Sequence, residues 1–255
     1  MGNSNIIAGD RKVVQSTRKH TGHPSKVSQK TFIVVPAYDE EKTVGRVLNH
    51  LIKRGYQVVV VDDGSSDNTY SIISKTRKDY PKQIFVCQHL INQGLGAALK
   101  TGMDCALNHG AEYMVTFDAD CQHDPEDIKT MLIPFKKNQA DVVLGVRNFD
   151  HMPLFKKMGN QIMNTLTFIF YREKVSDSQS GLRALNKKSA RLLRLDYRGY
   201  GVSSEIIREI KNHKLKMVEV PIKTIYTDYS LSKGTNTSIG LEILFKMILD
   251  VFKRF

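Results

Sequence analysis

Five short apolar runs recur between residues 31 and 146. They are TFIVVP (31–36), QVVVVD (57–62), QIFVCQ (83–88), YMVTFD (113–118) and DVVLGV (141–146). Each is β-rich and largely apolar on consecutive positions, the pattern of strands buried on both faces. Between the first two, residues 40–55 place Val44, Val47, Leu48, Leu51 and Ile52 at helical spacing. Residues 66–80, 94–109 and 125–138 behave likewise. Strands alternating with helices predict an α/β domain with a mostly parallel central sheet flanked by helices. Ligands of such sheets sit at the carboxyl ends of the strands, and the unusual residues of this chain cluster there.

After residue 150 the alternation stops. Residues 155–171 predict a helix, 180–185 a short strand, and 203–213 a helix opened by Ser and Glu near capping-box spacing. Residues 216–226 alternate and predict a strand, with Pro221 placing it near a sheet edge. Residues 1–30 are polar and basic and predict a mobile tail. It is either an electrostatic tether to anionic membrane or a plain disordered leader. Residues 239–255 are apolar apart from one stripe, Glu242, Lys246, Asp250, Lys253 and Arg254. That amphipathic helix either lies in the interface of the cytoplasmic leaflet or packs on its own domain or another subunit. The expected organisation is a tail over 1–30, one domain over 31–235 and the C-terminal helix over 236–255. Residues 158–171 are uncharged but number fourteen, short of the ~20 a bilayer needs. Met152, Met158, Met163 and Phe168 read as core in preference to a lipid groove.

Composition adds bounds. The chain has 255 residues, 41% hydrophobic and 25% charged, ordinary for a globular protein and wrong for a disordered or collagenous one. Cys87, Cys105 and Cys121 are too few and scattered for a disulfide framework or a zinc site, which predicts a reducing compartment. The first residues lack the apolar core of a secretory signal, so a cytoplasmic location is expected. Net charge is +12 and unevenly spread. Residues 1–30 carry six Lys or Arg against one acid, 31–150 thirteen against sixteen, and 151–216 fourteen against five. The later block suggests an anionic partner, whether phosphate, acidic lipid or nucleic acid, or else is a solvated basic face. Nucleic acid is not expected, because the interleaving of aromatic and basic residues is missing.

Four carboxyl-end loops hold the candidate chemistry. PAYDEE (36–41) is acidic. VDDGSSDNT (61–69) carries Asp62 and Asp63, and an Asp there can accept from the N–H groups of a nucleobase; Ser66 or Asp67 can cap the following helix. NQGLGAALKTG (92–102) has glycines at 94, 96 and 102 but neither the spacing nor the position of a dinucleotide fingerprint. Close backbone approach to a nucleotide and simple helix packing both remain readings. FDADCQHDPED (117–127) is the strongest signal. Asp118 and Asp120 lie two apart in an extended segment, so both carboxylates can face one cation. Hard oxygen ligands in small number suit Mg²⁺ or Mn²⁺, completed by phosphate and water. Zinc is not expected, since Cys121 and His123 lack partner ligands at usable spacing. His123 can order a ligand or touch the donor; His20, His23, His50, His89, His109, His151 and His213 show no partner spacing.

At these residues the chain resembles the family 2 glycosyltransferases with the A-type nucleotide-sugar fold. It is most similar to the branch of dolichol-phosphate mannosyltransferases and bacterial polyprenyl-phosphate glycosyltransferases. The resemblance spans roughly 31–235 and rests on VVPAYDE, VVDDGSSDNT, NQGLGAALKTG, DADCQHDPEDI, SGLRAL and EVPIKTIYTDYSLSKG. It implies that Pro36, Ala37, Tyr38 and Glu40 line the nucleoside pocket, that Asp63 reads the base and that Gly94 sits against the nucleotide. It implies that Asp118, Asp120 and Gln122 hold the divalent metal on the diphosphate, with Asp118 also a donor contact and Asp120 catalytic. Lys233 would lie in a loop closing on diphosphate or acceptor, with Tyr226 and Tyr229 shaping that loop or packing at the strand end. The family often has Asn where this chain has Asp39.

The expected activity is inverting, metal-dependent transfer of a sugar from a UDP- or GDP-sugar to a polyprenyl phosphate at the inner membrane face. Arg147 and Lys156 correspond to the family's lipid-phosphate contacts, with Asn160 one turn on and Arg183 after SG of SGLRAL. A phosphate oxygen is already anionic and needs no base; a glycan or glycolipid hydroxyl would, and that acceptor is the alternative. Asp177 is the candidate base, or else it orders its loop. A homo-oligomer or a membrane-protein partner is possible on the sequence.

Overall fold

Each of the five apolar runs is a strand in the computed structural model, which describes residues 30–150, 152, 154–195 and 202–225. In chain order the elements are β1 (Thr31–Ala37), α1 (Val44–Ile52), β2 (Gln57–Asp62), α2 (Thr69–Asp79), β3 (Ile84–Gln88), α3 (Leu95–Asn108) and β4 (Tyr113–Thr116). Then come α4 (Asp127–Met131), α5 (Ile133–Lys136), β5 (Val142–Arg147), α6 (Leu154–Tyr171), β6 (Arg183–Asn186), α7 (Lys187–Leu192), α8 (Val202–Asn212) and β7 (Met217–Ile222). The seven strands form one sheet in the order β3-β2-β1-β4-β6-β5-β7. All neighbours are parallel except β6, which runs antiparallel to both β4 and β5. The mostly parallel α/β fold is as expected, and β7 with Pro221 is an edge strand.

The apolar runs are continuous because both sheet faces are covered. Ile33 and Val35 point to one side, where Val47, Leu48 and Leu51 of α1 and Ile128 and Met131 of α4 meet them. Phe32 and Val34 point to the other, against Leu99 and Met103 of α3 and Ile206, Ile207 and Ile210 of α8. Burying each such side chain is worth about 1.5–3 kcal/mol. On the α3 side, a Cβ on Gly102 would stand 2.4 Å from Cγ1 of Val34. That glycine lets the helix approach β1, so of the two readings of the glycine-rich segment, packing applies here.

Two expectations change. The single helix over 125–138 is two short ones meeting at Leu132, with Pro134 in the first turn of α5; proline has no N–H to continue the ladder. Met158 and Phe168, expected in the core, are 61% and 45% exposed, whereas Met152 is buried. The tail over 1–29, the C-terminal helix over 236–255, Tyr226, Tyr229 and Lys233 lie outside the described residues.

Candidate active site

The ends of β1 and β2 are tied together through their acidic loops. Asp39 adopts φ 51°, a left-handed conformation that Asn and Asp tolerate best among residues with a side chain. Its amide donates to Ser65 Oγ at 3.1 Å, and its carboxylate accepts from the Ser66 amide at 2.8 Å. An Asn would keep that conformation, so Asp39 in place of the family's Asn disturbs nothing locally. Glu40 donates its amide to Thr69 Oγ1 and takes the Thr43 hydroxyl on Oε2, both at 2.7 Å. Glu41 and Asp67 are likewise cross-linked. Beside this zipper, Pro36 is half-buried, Ala37 buried and Tyr38 44% exposed.

Asp63 is not an open acceptor. Its side chain is 4% exposed and already holds Nδ1 of His89 at 2.6 Å, the Gln93 amide at 3.0 Å and the Gly94 amide at 2.8 Å. The expected base-reading carboxylate is thus turned into the loop that precedes α3. Gly94 stands at the helix N-cap with φ 92° and ψ 162°, a conformation glycine alone adopts freely.

Beyond β4, Asp118 receives Nε2 of His123 at 2.9 Å, and the His123 ring packs edge-on against Phe117 at 5.3 Å. Behind Asp118 lies Gly181: a Cβ there would sit 2.0 Å from Oδ2 of the carboxylate. Thr116 fixes that segment, donating to the Gly181 carbonyl at 2.6 Å and accepting the Arg183 amide at 3.1 Å. Asp120 accepts the Gln122 amide at 3.0 Å, and the Gln122 side-chain nitrogen turns back onto its other oxygen. Gln122 therefore orients Asp120 in the structure. Ser180 Oγ and Thr224 Oγ1 are buried without hydrogen-bond partners near this cradle, Thr224 bridging His123 backbone to backbone.

The electrostatics of the pair suit a cation. Burial opposes ionisation of Asp118, but the His123 hydrogen bond and the charges of His123, Arg183 and Arg147 prevail and hold its carboxyl below the ordinary range. Burial, and then the Asp118 charge, push Asp120 upward. Among the described residues no cluster of three or more His, Cys, Asp or Glu could hold a metal. Two carboxylates with the rest of the shell left to phosphate and water is the donor set of Mg²⁺ or Mn²⁺, and Asp118 and Asp120 fit it.

Across the sheet end, Arg147 closes β5. Its guanidinium meets Asp177 twice, Nε to Oδ2 at 2.7 Å and Nη2 to Oδ1 at 2.9 Å. Lys156 is half-buried in α6. Asn160 is 6% exposed, and its amide oxygen is buried without a partner. Arg183, expected at the acceptor phosphate, is instead 2% exposed. It donates to the Ser178 carbonyl at 3.2 Å and Ser203 Oγ at 2.8 Å. Burial first, against the charges of Asp118 and Asp177, lowers it to about 10. Arg183 is an interior countercharge between the two acidic positions.

Sequence reading missed Gly181, Thr116, Thr224 and His89. Gly181 lay inside a quoted motif, yet only the fold brings it behind Asp118. No helix among the described residues is long and apolar enough to cross a membrane.

Residues 32–193 match the family described as Glycosyl transferase family 2. The chain is 46% identical over 227 residues to the uncharacterized protein MJ1222 of Methanocaldococcus jannaschii, covering 86% of this chain and 91% of that one. It is 38% identical over 237 residues to the UDP-N-acetylglucosamine–dolichyl-phosphate N-acetylglucosaminyltransferase of Methanococcus voltae, covering 86% and 94%. Among solved structures, glucosyl-3-phosphoglycerate synthase of Mycobacterium tuberculosis, in complex with Mn²⁺, UDP and glucosyl-3-phosphoglycerate, shares the fold at a TM-score of 0.68. The sequence identity is 15%, over 91% of this chain and 85% of that one.

Proposed function

The chain belongs to glycosyl transferase family 2, and we propose that it moves one sugar from a UDP- or GDP-sugar to a polyprenyl phosphate, inverting the anomeric carbon. The observation that carries the reading is the placement of Asp118 and Asp120 at the end of β4, with the Arg147 guanidinium held by Asp177 at the end of β5. The 38% identity to an N-acetylglucosaminyltransferase acting on dolichyl phosphate supports the acceptor class and makes UDP-N-acetylglucosamine the first donor to test.

In this reading Pro36, Ala37, Tyr38 and the Gly94 loop hold the nucleoside. Asp118 and Asp120 would hold Mg²⁺ or Mn²⁺, which when bound supplies Lewis-acid neutralisation of the diphosphate. His123 and Gly181 keep Asp118 in place, and Gln122 keeps Asp120 in place. Arg147 and Lys156 draw the acceptor phosphate to the same sheet end. A phosphate oxygen attacks the anomeric carbon opposite the leaving group, forming the C–O bond as the bond to the nucleoside diphosphate breaks. No proton needs to be removed. A hydroxyl acceptor would need a base, and Asp177 has both oxygens on Arg147, which favours phosphate.

The reading extends to the membrane. On α6, Leu154, Met158, Ile162, Phe168 and Ile169 are 78%, 61%, 44%, 45% and 52% exposed. The helix contains no acid and carries Lys156 and Lys157. An apolar stripe with lysines beside it suits an anionic lipid surface, and the free cysteines suit the cytoplasmic, reducing side. We take residues 31–235 as the catalytic unit.

The test is sugar transfer with Mn²⁺ from UDP-N-acetylglucosamine, UDP-glucose, UDP-galactose and GDP-mannose to a short polyprenyl phosphate. The expected result is a lipid product from one donor, abolished by chelator and by Asp120→Ala. Full activity in chelator would overturn the role given to the paired carboxylates.

A further inference from the structure

His89 shows no motif spacing, yet it closes a buried network at the donor end of the sheet. Its side chain is 9% exposed. Nδ1 meets Asp63 Oδ1 at 2.6 Å and Nε2 meets Thr101 Oγ1 at 2.9 Å. An ionised carboxylate only accepts, so Nδ1 carries a proton; with His89 neutral, Nε2 takes the Thr101 hydroxyl. The ring therefore ties the end of β3 to α3 and locks one oxygen of Asp63.

Asp63 passes that constraint to the loop before α3. Its carboxylate holds the Gln93 and Gly94 amides at 3.0 and 2.8 Å. Its own amide donates to the Ala37 carbonyl at 2.8 Å, at the end of β1. The His89 amide donates to the Asp62 carbonyl at 2.9 Å. Gly64 forms the floor: at φ +72°, a Cβ there would lie 2.4 Å from the carbonyl carbon of Ile91 and 2.5 Å from the Asn92 amide nitrogen. The loop is fixed on backbone atoms at its base while Leu90 and Ile91, 96% and 71% exposed, stand at its tip.

We propose that His89 is a positioning residue for donor binding. It orients Asp63 so that residues 89–94 keep the shape that receives the nucleotide. The inference rests on the nucleotide-sugar reading above. Because the loop would act on the bound ground state and not on the reacting atoms, the effect belongs in donor affinity rather than in turnover.

The test uses the geometry of the two ring nitrogens. The amide of Asn can stand in for Nδ1 toward Asp63; that of Gln reaches the Nε2 position toward Thr101. Binding of UDP-N-acetylglucosamine, UDP-glucose and GDP-mannose is measured calorimetrically with Mn²⁺, followed by transfer kinetics with the donor that binds. His89→Asn should stay within about threefold of wild type in donor Kd, and His89→Gln should weaken binding about tenfold, the scale of a buried charge-assisted hydrogen bond. In both, kcat at saturating donor should hold within about twofold, with thermal melts reporting folding. Equal donor affinity in the Asn and Gln variants, or a loss confined to kcat, would overturn the assignment. A wild-type protein that binds none of the three would overturn the donor reading and this inference with it.

Discussion

Asp177 grips Arg147 at three points: its carboxylate takes Nε at 2.7 Å, Nη2 at 2.9 Å and the Arg147 amide at 3.2 Å. The Asp177 side chain is 0% exposed, that of Arg147 21%. The carboxylate is enclosed and the guanidinium is only partly so. A base must reach a substrate proton; this carboxylate instead aims a cation. The loop-ordering reading of Asp177 is the one the geometry favours.

Asp177→Asn should therefore raise acceptor KM about tenfold, the loss of one charge-assisted contact, and leave donor affinity unchanged. Arg147→Lys should do the same, because an ammonium cannot make the fork. Steady-state kinetics at saturating donor separates this from a base, whose loss would lower kcat by orders of magnitude at constant KM.

Asp120→Asn should stabilise the protein without metal and abolish turnover. The Asp120 carboxyl is pushed upward by burial and then by Asp118. A raised acid favours folding only below its unfolded value, and that contribution is lost as pH rises through the folded value. Once ionised, Asp120 is thus a burden that Asn removes. A gain of about 1 kcal/mol would raise Tm by about 2–4 °C for a chain this size. The shift of Tm on adding Mn²⁺ should disappear.

Gly181→Ala tests the cradle from behind. A Cβ 2.0 Å from Asp118 Oδ2 must displace the carboxylate. A misplacement of about 1 Å costs about 10²-fold in rate. Turnover should fall by that order, and restoring it with raised Mn²⁺ should fail if geometry rather than affinity is lost.

Exposure of α6 gives a fourth expectation. Met158→Asp with Ile169→Asp should abolish co-sedimentation with anionic vesicles. Transfer to a short, water-soluble polyprenyl phosphate should stay within about twofold, since burial of apolar area on lipid is what the change removes. Unchanged vesicle binding would assign the stripe another role.

Sheet and helices were legible because buried parallel strands read as unbroken valine runs and their helices as 3.6-residue periods. Asp118 and Asp120 were legible because their spacing is local. What hid was non-local. Gly181 meets Asp118, and His89 meets Asp63, only after strands far apart in sequence pair. Arg183, within SGLRAL, was expected at the acceptor phosphate, but antiparallel β6 lies between β4 and β5 and takes it inside. The choice between core and lipid groove for the apolar residues of α6 was open for a related reason: periodicity identifies an apolar face but not what covers it.

In the proposed reaction the attacking oxygen belongs to a phosphate. The most direct measurement offers the enzyme, its identified donor and Mn²⁺ a matched pair of acceptors, a short polyprenyl phosphate and the corresponding polyprenol, and follows product by mass spectrometry. A glycosyl phosphate lipid is expected from the first and none from the second, with the anomeric configuration inverted. Equal glycosylation of the free alcohol would contradict it.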